Sequence, residues 1–126
     1  MDGRSEQMEW KLDDNRPIWI QLQEQLTRKI LSGWYHAGEK LPSVRELAAE
    51  AGVNPNTMQR ALAALDQNGL TVTNRTMGRS VTEDGVILEG MRRGLAEDII
   101  RQFYDSVAEL GYSKEQALEL LKRRDG

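Results

Sequence analysis

The 126-residue chain has no cysteine, so disulfides and thiolate metal centres are excluded. Its only histidine is His36, in the short loop stretch Tyr35-His36-Ala37-Gly38. No second histidine or cysteine stands at ligand spacing from it, so a metal site is not expected and His36 reads as a loop residue. A Gly-rich phosphate loop is missing too. With no nucleophile and base to pair, the chain lacks the makings of an enzyme active site and implies no cofactor. No apolar run approaches the roughly 18 residues of a membrane span, and no basic-then-apolar leader opens the chain. These absences lead us to expect a soluble, cytoplasmic binding protein rather than a catalyst or a membrane protein.

Net charge is low, −3, and of the wrong sign for a polyanion partner. Its distribution reverses that reading. Residues 1–15 carry net −3, residues 16–82 net +3 and residues 83–126 net −3. The basic share is confined to the middle of the chain.

That middle contains LPSVRELAAEAGVNPNTMQRALAALDQNG, from Leu41 to Gly69. Ser43 and Glu46 have capping-box spacing. Val44, Leu47, Ala48 and Ala51 then form one apolar helical face, and Gly52 stops the helix. Asn54 caps a second helix with Pro55 in its first position. Met58, Ala61, Leu62 and Leu65 are its apolar stripe, and Gly69 ends it. At about 100° per residue, Asn56, Arg60, Ala63 and Gln67 lie opposite that stripe, with Thr57 and Gln59 on the flanks. That outer face is read as free of carboxylate. Amides, a hydroxyl and a guanidinium are the groups that read base edges and phosphates. Two short helices joined by a glycine-containing turn match a helix-turn-helix. An ordinary helical hairpin would share the pattern.

The flanks complete a small domain. Pro17 opens a helix expected to reach about Ser32, with Ile18, Leu22, Leu26 and Ile30 as its stripe. Trp19, Leu31 and Trp34 broaden that stripe, and both tryptophans are expected in the core. Met8, Trp10 and Leu12 alternate with polar residues and suggest a short strand. Leu70, Val72 and Val81 flank the turn Asn74-Arg75-Thr76-Met77-Gly78 and read as a β-hairpin. Arg75 and Arg79 are expected at its tip, where they would touch phosphate or enter a minor groove, with Gly78 beside them. The bland alternative is two solvated loop arginines.

The stretch LPSVRELAAEAGVNPNTMQRALAALDQNGL closely resembles the DNA-binding domain of the GntR superfamily of bacterial transcription regulators. VNPNTMQRAL and the short C-terminal segment are most similar to its YtrA-like subfamily. The resemblance covers about residues 8–82 by motif and the rest by length and helical character. It departs from the family in the wing, where MGRSVTED replaces the usual second glycine and Phe-Val pair. It implies a dimeric regulator with Ser43 and Arg45 at positions that contact DNA in the family. Larger members carry an enclosed ligand domain. The 44 residues after Thr82 are too few for one, so a small-molecule effector would have to sit at the dimer interface. YtrA-like relatives often control transporter operons.

From Val86 to Leu110 helical periodicity returns. Leu88, Met91, Leu95, Ile99, Phe103, Val107 and Leu110 step by three or four, widened by Ile100 and Tyr104. Gly90 and Gly94 stand one turn apart, where another helix could come close. Ser113 and Gln116 form a second capping box before a short last helix, whose Lys122-Arg123-Arg124 end suits the helix dipole. A helix pair this small cannot cover such a stripe alone, and a second copy is the simplest partner.

The expected architecture is therefore mainly α: a three-helix winged helix-turn-helix with a β-hairpin wing over residues 1–82, and a two-helix dimerisation arm over residues 83–126. The expected activity is sequence-specific repression by a homodimer on an inverted-repeat operator in double-stranded DNA. The residues expected at the DNA are Ser43, Arg45, Asn54, Pro55, Asn56, Thr57, Gln59, Arg60, Arg75, Gly78 and Arg79. The rival reading is a winged-helix protein-interaction module without affinity for duplex.

Overall fold

A computed structural model describes residues 9–124. Met8 of the suggested strand lies outside these residues. Five helices and one hairpin follow in order: α1 Ile18–Leu31, α2 Val44–Ala51, α3 Pro55–Gln67, β1 Thr71–Asn74, β2 Gly78–Val81, α4 Gly85–Glu109 and α5 Lys114–Arg124. Two compact units divide inside α4, the first ending at Glu89 and the second beginning at Gly90.

The first unit is a winged helix, as the pattern predicts. Leu22, Leu26 and Ile30 of α1, Leu47 and Ala48 of α2, and Met58, Ala61, Leu62 and Leu65 of α3 are buried together with Leu70 and Val81. α3 is the hub, packing on α1, α2 and β1. Each fully buried leucine or methionine contributes about 1.5–3 kcal/mol against an exposed one. Gly52 closes α2 with φ +71°, the left-handed conformation that lets the chain turn at once into α3.

β1 and β2 are antiparallel, pairing Thr71 with Val81 and Thr73 with Arg79. The backbone of 38–41 runs along the other edge of β2. Gly38 N donates to Val81 O, Val81 N to Glu39 O and Leu41 N to Arg79 O, each at 2.9 Å. The wing is thus tied to the entrance of α2. Alternation along β1 is opposite to that expected: Thr71 is buried and Val72 is exposed. Thr71 can be buried because its hydroxyl has a carboxylate to donate to.

Two further expectations are corrected. Trp10 and Leu12 are not in a strand. Their segment is held by side chains of α1 instead. Gln25 Oε1 accepts from Lys11 N at 3.0 Å and Gln25 Nε2 donates to Lys11 O at 2.7 Å, the pair of bonds that a neighbouring strand would supply. The buried Gln21 does the same for the next turn, accepting from Asp13 N and donating to the carbonyls of Asp13 and Arg16. Trp19 and Trp34 are only half-buried, whereas Tyr35 is in the core. Lys29 is buried to 2% exposure between Glu50 Oε1 at 3.7 Å and the face of Trp10, whose centroid is 3.7 Å from Nζ. Burial pushes the Lys29 ammonium below the usual lysine range, against the pull of Glu50.

In the second unit α4 exposes Leu95, Ile99, Ile100 and Phe103, and has no buried residue anywhere along its length. Met91 and Val107 are half-covered. Leu110 follows, 76% exposed. Ser113 N donates to Gln116 Oε1 and Gln116 N to Ser113 Oγ, completing the expected capping box before α5. Ala117 of α5 is buried, while Leu118, Leu120 and Leu121 are exposed. A Cβ at Gly90 or Gly94 would meet nothing within 4 Å.

Candidate nucleic-acid interface

The helix-turn-helix presents two capped helix starts. Ser43 Oγ accepts from Glu46 N at 3.1 Å while Glu46 Oε1 accepts from Ser43 N at 3.0 Å. The bond from the Ser43 backbone leads the interactions that hold the Glu46 carboxyl below its ordinary range. The Ser43 hydroxyl accepts within the cap, which leaves its proton to donate outward. Arg45 follows, exposed in the first turn of α2. At α3, Asn54 Oδ1 accepts from Asn56 N at 2.7 Å and Pro55 occupies the first turn. Asn54 therefore has a structural duty, with its amide donors left over.

Along α3, Asn56, Gln59 and Arg60 are exposed and Thr57 is half-buried beside Met58. Arg60 does not stand free. Its guanidinium lies over the ring of Trp19, 4.3 Å from the centroid. That stack explains why Trp19 is only half-covered by the core. It also splays the Arg60 head back toward α1.

The wing departs most from expectation. Its tip is Arg75-Thr76-Met77, with Asn74 Oδ1 accepting from Thr76 N and Met77 N. Arg75 is at the tip as expected. Arg79 is not: it stands in β2, 13% exposed, and forks onto Asp66 of α3. Nε reaches Oδ1 at 3.1 Å and Nη2 reaches Oδ2 at 3.0 Å. Thr71 donates to the same carboxylate, and so does Thr73, at 2.8 Å. Burial would raise the Asp66 pKa, but the bonds from Arg79, Thr71 and Thr73 and the guanidinium charge outweigh it and hold the carboxyl low. Asp66 also corrects the reading of α3 as free of carboxylate on its outer side. It lies seven residues after Gln59, on the same flank. That spacing, and the Thr71-x-Thr73 pair that follows, were the signals available for it.

Gly78 begins β2 with φ +86°, and a Cβ there would come within 3.3 Å of Lys40 Cε. The left-handed turn is what favours glycine, since the flexible end of Lys40 could shift by the few tenths of an ångström a Cβ would need. Ser43, Gln59, Gly78 and Arg79 meet around one open crevice of about 470 Å³ between α2, α3 and the wing, joined by Lys40 and Thr73, which composition did not single out. Arg45, Asn56, Arg60 and Arg75 do not line it. His36 is exposed, with Nδ1 3.6 Å from Glu39 Oε1. Among the described residues no group of carboxylates and histidines is placed to hold a metal ion. No described helix is long and apolar enough to cross a membrane.

Comparison with known proteins settles the family. Residues 20–81 match the model of bacterial regulatory proteins of the gntR family. The chain is 32% identical to the HTH-type transcriptional regulator YhcF of Bacillus subtilis over 91% of its own length and 95% of the relative's. The chain belongs to the GntR family. It is 34% identical to the HTH-type transcriptional repressor YtrA of B. subtilis over 71% of each chain, which supports the YtrA-like assignment. A solved GntR family transcriptional regulator from Listeria monocytogenes superposes with a TM-score of 0.83 at 37% identity, covering 89% of this chain and 98% of that one. This GntR chain is thus a winged-helix transcription regulator. Its wing is pinned by a salt bridge that joins β2 to α3.

Proposed function

We propose that this protein is a cytoplasmic repressor that binds an inverted-repeat operator in double-stranded DNA as a homodimer. One observation carries the reading. The first half of α3 leaves Asn56, Gln59 and Arg60 exposed, Arg45 is exposed in the first turn of α2, and Gln59 shares one crevice with Ser43 of the α2 cap and Gly78 of a wing whose tip carries Arg75. α3 enters the major groove N-terminus first. Asn56 and Gln59 read base edges, and Thr57 and Pro55 offer apolar or hydroxyl contact. Arg45, the Ser43 hydroxyl and the Asn54 amide donors meet backbone or base edges at the groove wall. Arg60, restrained on Trp19, holds phosphate. Arg75 and the backbone at Gly78 reach the neighbouring minor groove. Arg79 acts from within the wing through Asp66.

The arm supplies the pairing. Leu95, Ile99, Ile100 and Phe103 of α4 and Leu118, Leu120 and Leu121 of α5 are exposed, more apolar surface than a monomer leaves in water without use. Leu88, Met91, Val107 and Leu110 extend the same stripe. A second copy covers it, and a small-molecule effector would bind between the two copies. The repressor role is supported by likeness to a relative bearing that description.

Selection of bound sequences from a random duplex library tests the proposal. It should return an inverted repeat, with half-site centres set by the dimer. Recovery of no enriched sequence, with binding insensitive to salt, would instead favour a protein-interaction module.

A further inference from the structure

Asp66 is a costly residue where it stands. It is the last but one residue of α3, where a carboxylate opposes the negative end of the helix dipole. It also lies on the flank of Gln59, where an unpaired negative charge would repel DNA phosphate. Its side chain is nonetheless held by three groups at once. Thr71 and Thr73 are two apart on β1 and Arg79 is opposite Thr73 on β2, so all three project from one face of the hairpin onto one carboxylate. Both oxygens accept two bonds each. Both strands of the wing are therefore anchored to the recognition helix itself, through one side chain of that helix.

We infer that Asp66 is a positioning residue that locks the wing to α3, so that the Arg75 tip is delivered to DNA as one rigid body with the recognition helix. Without it the hairpin keeps its hydrophobic root, Leu70 and Val81, and the backbone bonds from 38–41 to β2, but loses the polar clasp that sets its angle to α3. The backbone bonds from 38–41 hold the root of β2 from its other edge, and the clasp adds the tie that joins both strands to α3. Arg79 neutralises the carboxylate in the same act, which is why an acid is tolerated on that flank. The inference rests on the DNA-binding reading above and adds to it a residue that touches no DNA.

The test is a double-mutant cycle on the selected duplex, with the full chain. Asp66→Asn keeps the shape but removes the charge and one acceptor. Asp66→Asn and Arg75→Ala should each weaken binding by about tenfold. If Asp66 acts through the tip, the double variant should lose no more than the worse single one. Arg79→Met, which opens the clasp from the wing side and leaves the Asp66 carboxylate unneutralised, should weaken binding at least as much as Asp66→Asn. Amide exchange should quicken over residues 71–81 in either clasp variant while α1 and α2 are unchanged. Losses that multiply in the double variant overturn the inference, because Asp66 would then act independently of the tip. So does unaltered affinity in Asp66→Asn, or a silent Arg75→Ala beside a weakened Asp66→Asn. Should the intact protein bind no duplex, the DNA reading fails on that fact alone. Amide exchange then decides the clasp: faster exchange confined to 71–81 supports it, and unchanged exchange overturns it.

Discussion

Lys29 and Glu50 form an unequal pair, and the inequality makes a sharp prediction. The Lys29 side chain is 2% exposed, whereas Glu50 is 41% exposed. Breaking a buried ion pair costs about 3–5 kcal/mol when the survivor is a buried charge. Glu50→Ala leaves such a survivor, since Lys29 keeps only the Trp10 ring. Lys29→Met does not. Glu50 then stays half in water and keeps its bond from Trp10 Nε1 at 3.0 Å. The methionine takes the place of the lysine stem against the Trp10 ring, so the cost should stay under about 1.5 kcal/mol. Glu50→Ala should therefore exceed Lys29→Met by about 2 kcal/mol or more. pH gives a second handle. The lysine pKa is lowered in the folded state, so between that value and the unfolded value of 10.5 the unfolded chain holds more protons. Stability contributed through Lys29 must then rise with pH in that window. The rise should be steeper in Glu50→Ala, where nothing offsets burial, and absent in Lys29→Met. Urea unfolding across a pH series measures both. Equal losses for the two variants, or a parallel pH dependence, would refute the reasoning.

Other outcomes follow from the interface and the arm. Arg45→Ala should weaken operator binding by about 1–3 kcal/mol with no loss of melting temperature, checked by anisotropy and thermal unfolding. Gln59→Ala should relax preference at one base pair, whereas Arg60→Ala should weaken all sequences alike and flatten the salt slope by about one unit. Arg60→Ala should also cost about 0.5–1 kcal/mol of stability through the lost Trp19 stack, which Gln59→Ala should not. Substituting aspartate at both Ile99 and Phe103 should give a monomer in sedimentation velocity while the winged helix stays folded.

The helix-turn-helix was legible because its signals are local. The Ser43–Glu46 box, Gly52, Asn54-Pro55 and the Met58–Leu65 stripe each specify structure within one or two turns, and the structure follows them. What escaped is non-local. Arg79 and Asp66 are thirteen residues apart, and nothing in the hairpin pattern says which strand residue faces the helix. Trp10 and Leu12 alternate as a strand would, but their partners are the amides of α1 glutamines, which leave no periodic signature. Trp19 looked like core because aromatic area usually is; its stacking partner comes from another helix. The exposed stripe of α4 was legible as a stripe.

The central claim is that two winged helices in one dimer read two half-sites. Its most direct test is the affinity of the intact protein for the selected inverted repeat against a duplex carrying one half-site. If the arm joins the two readers, the second contact is intramolecular, and the full repeat should bind about 10²–10⁴ times more tightly. Equal affinity for the full repeat and the single half-site would contradict the account.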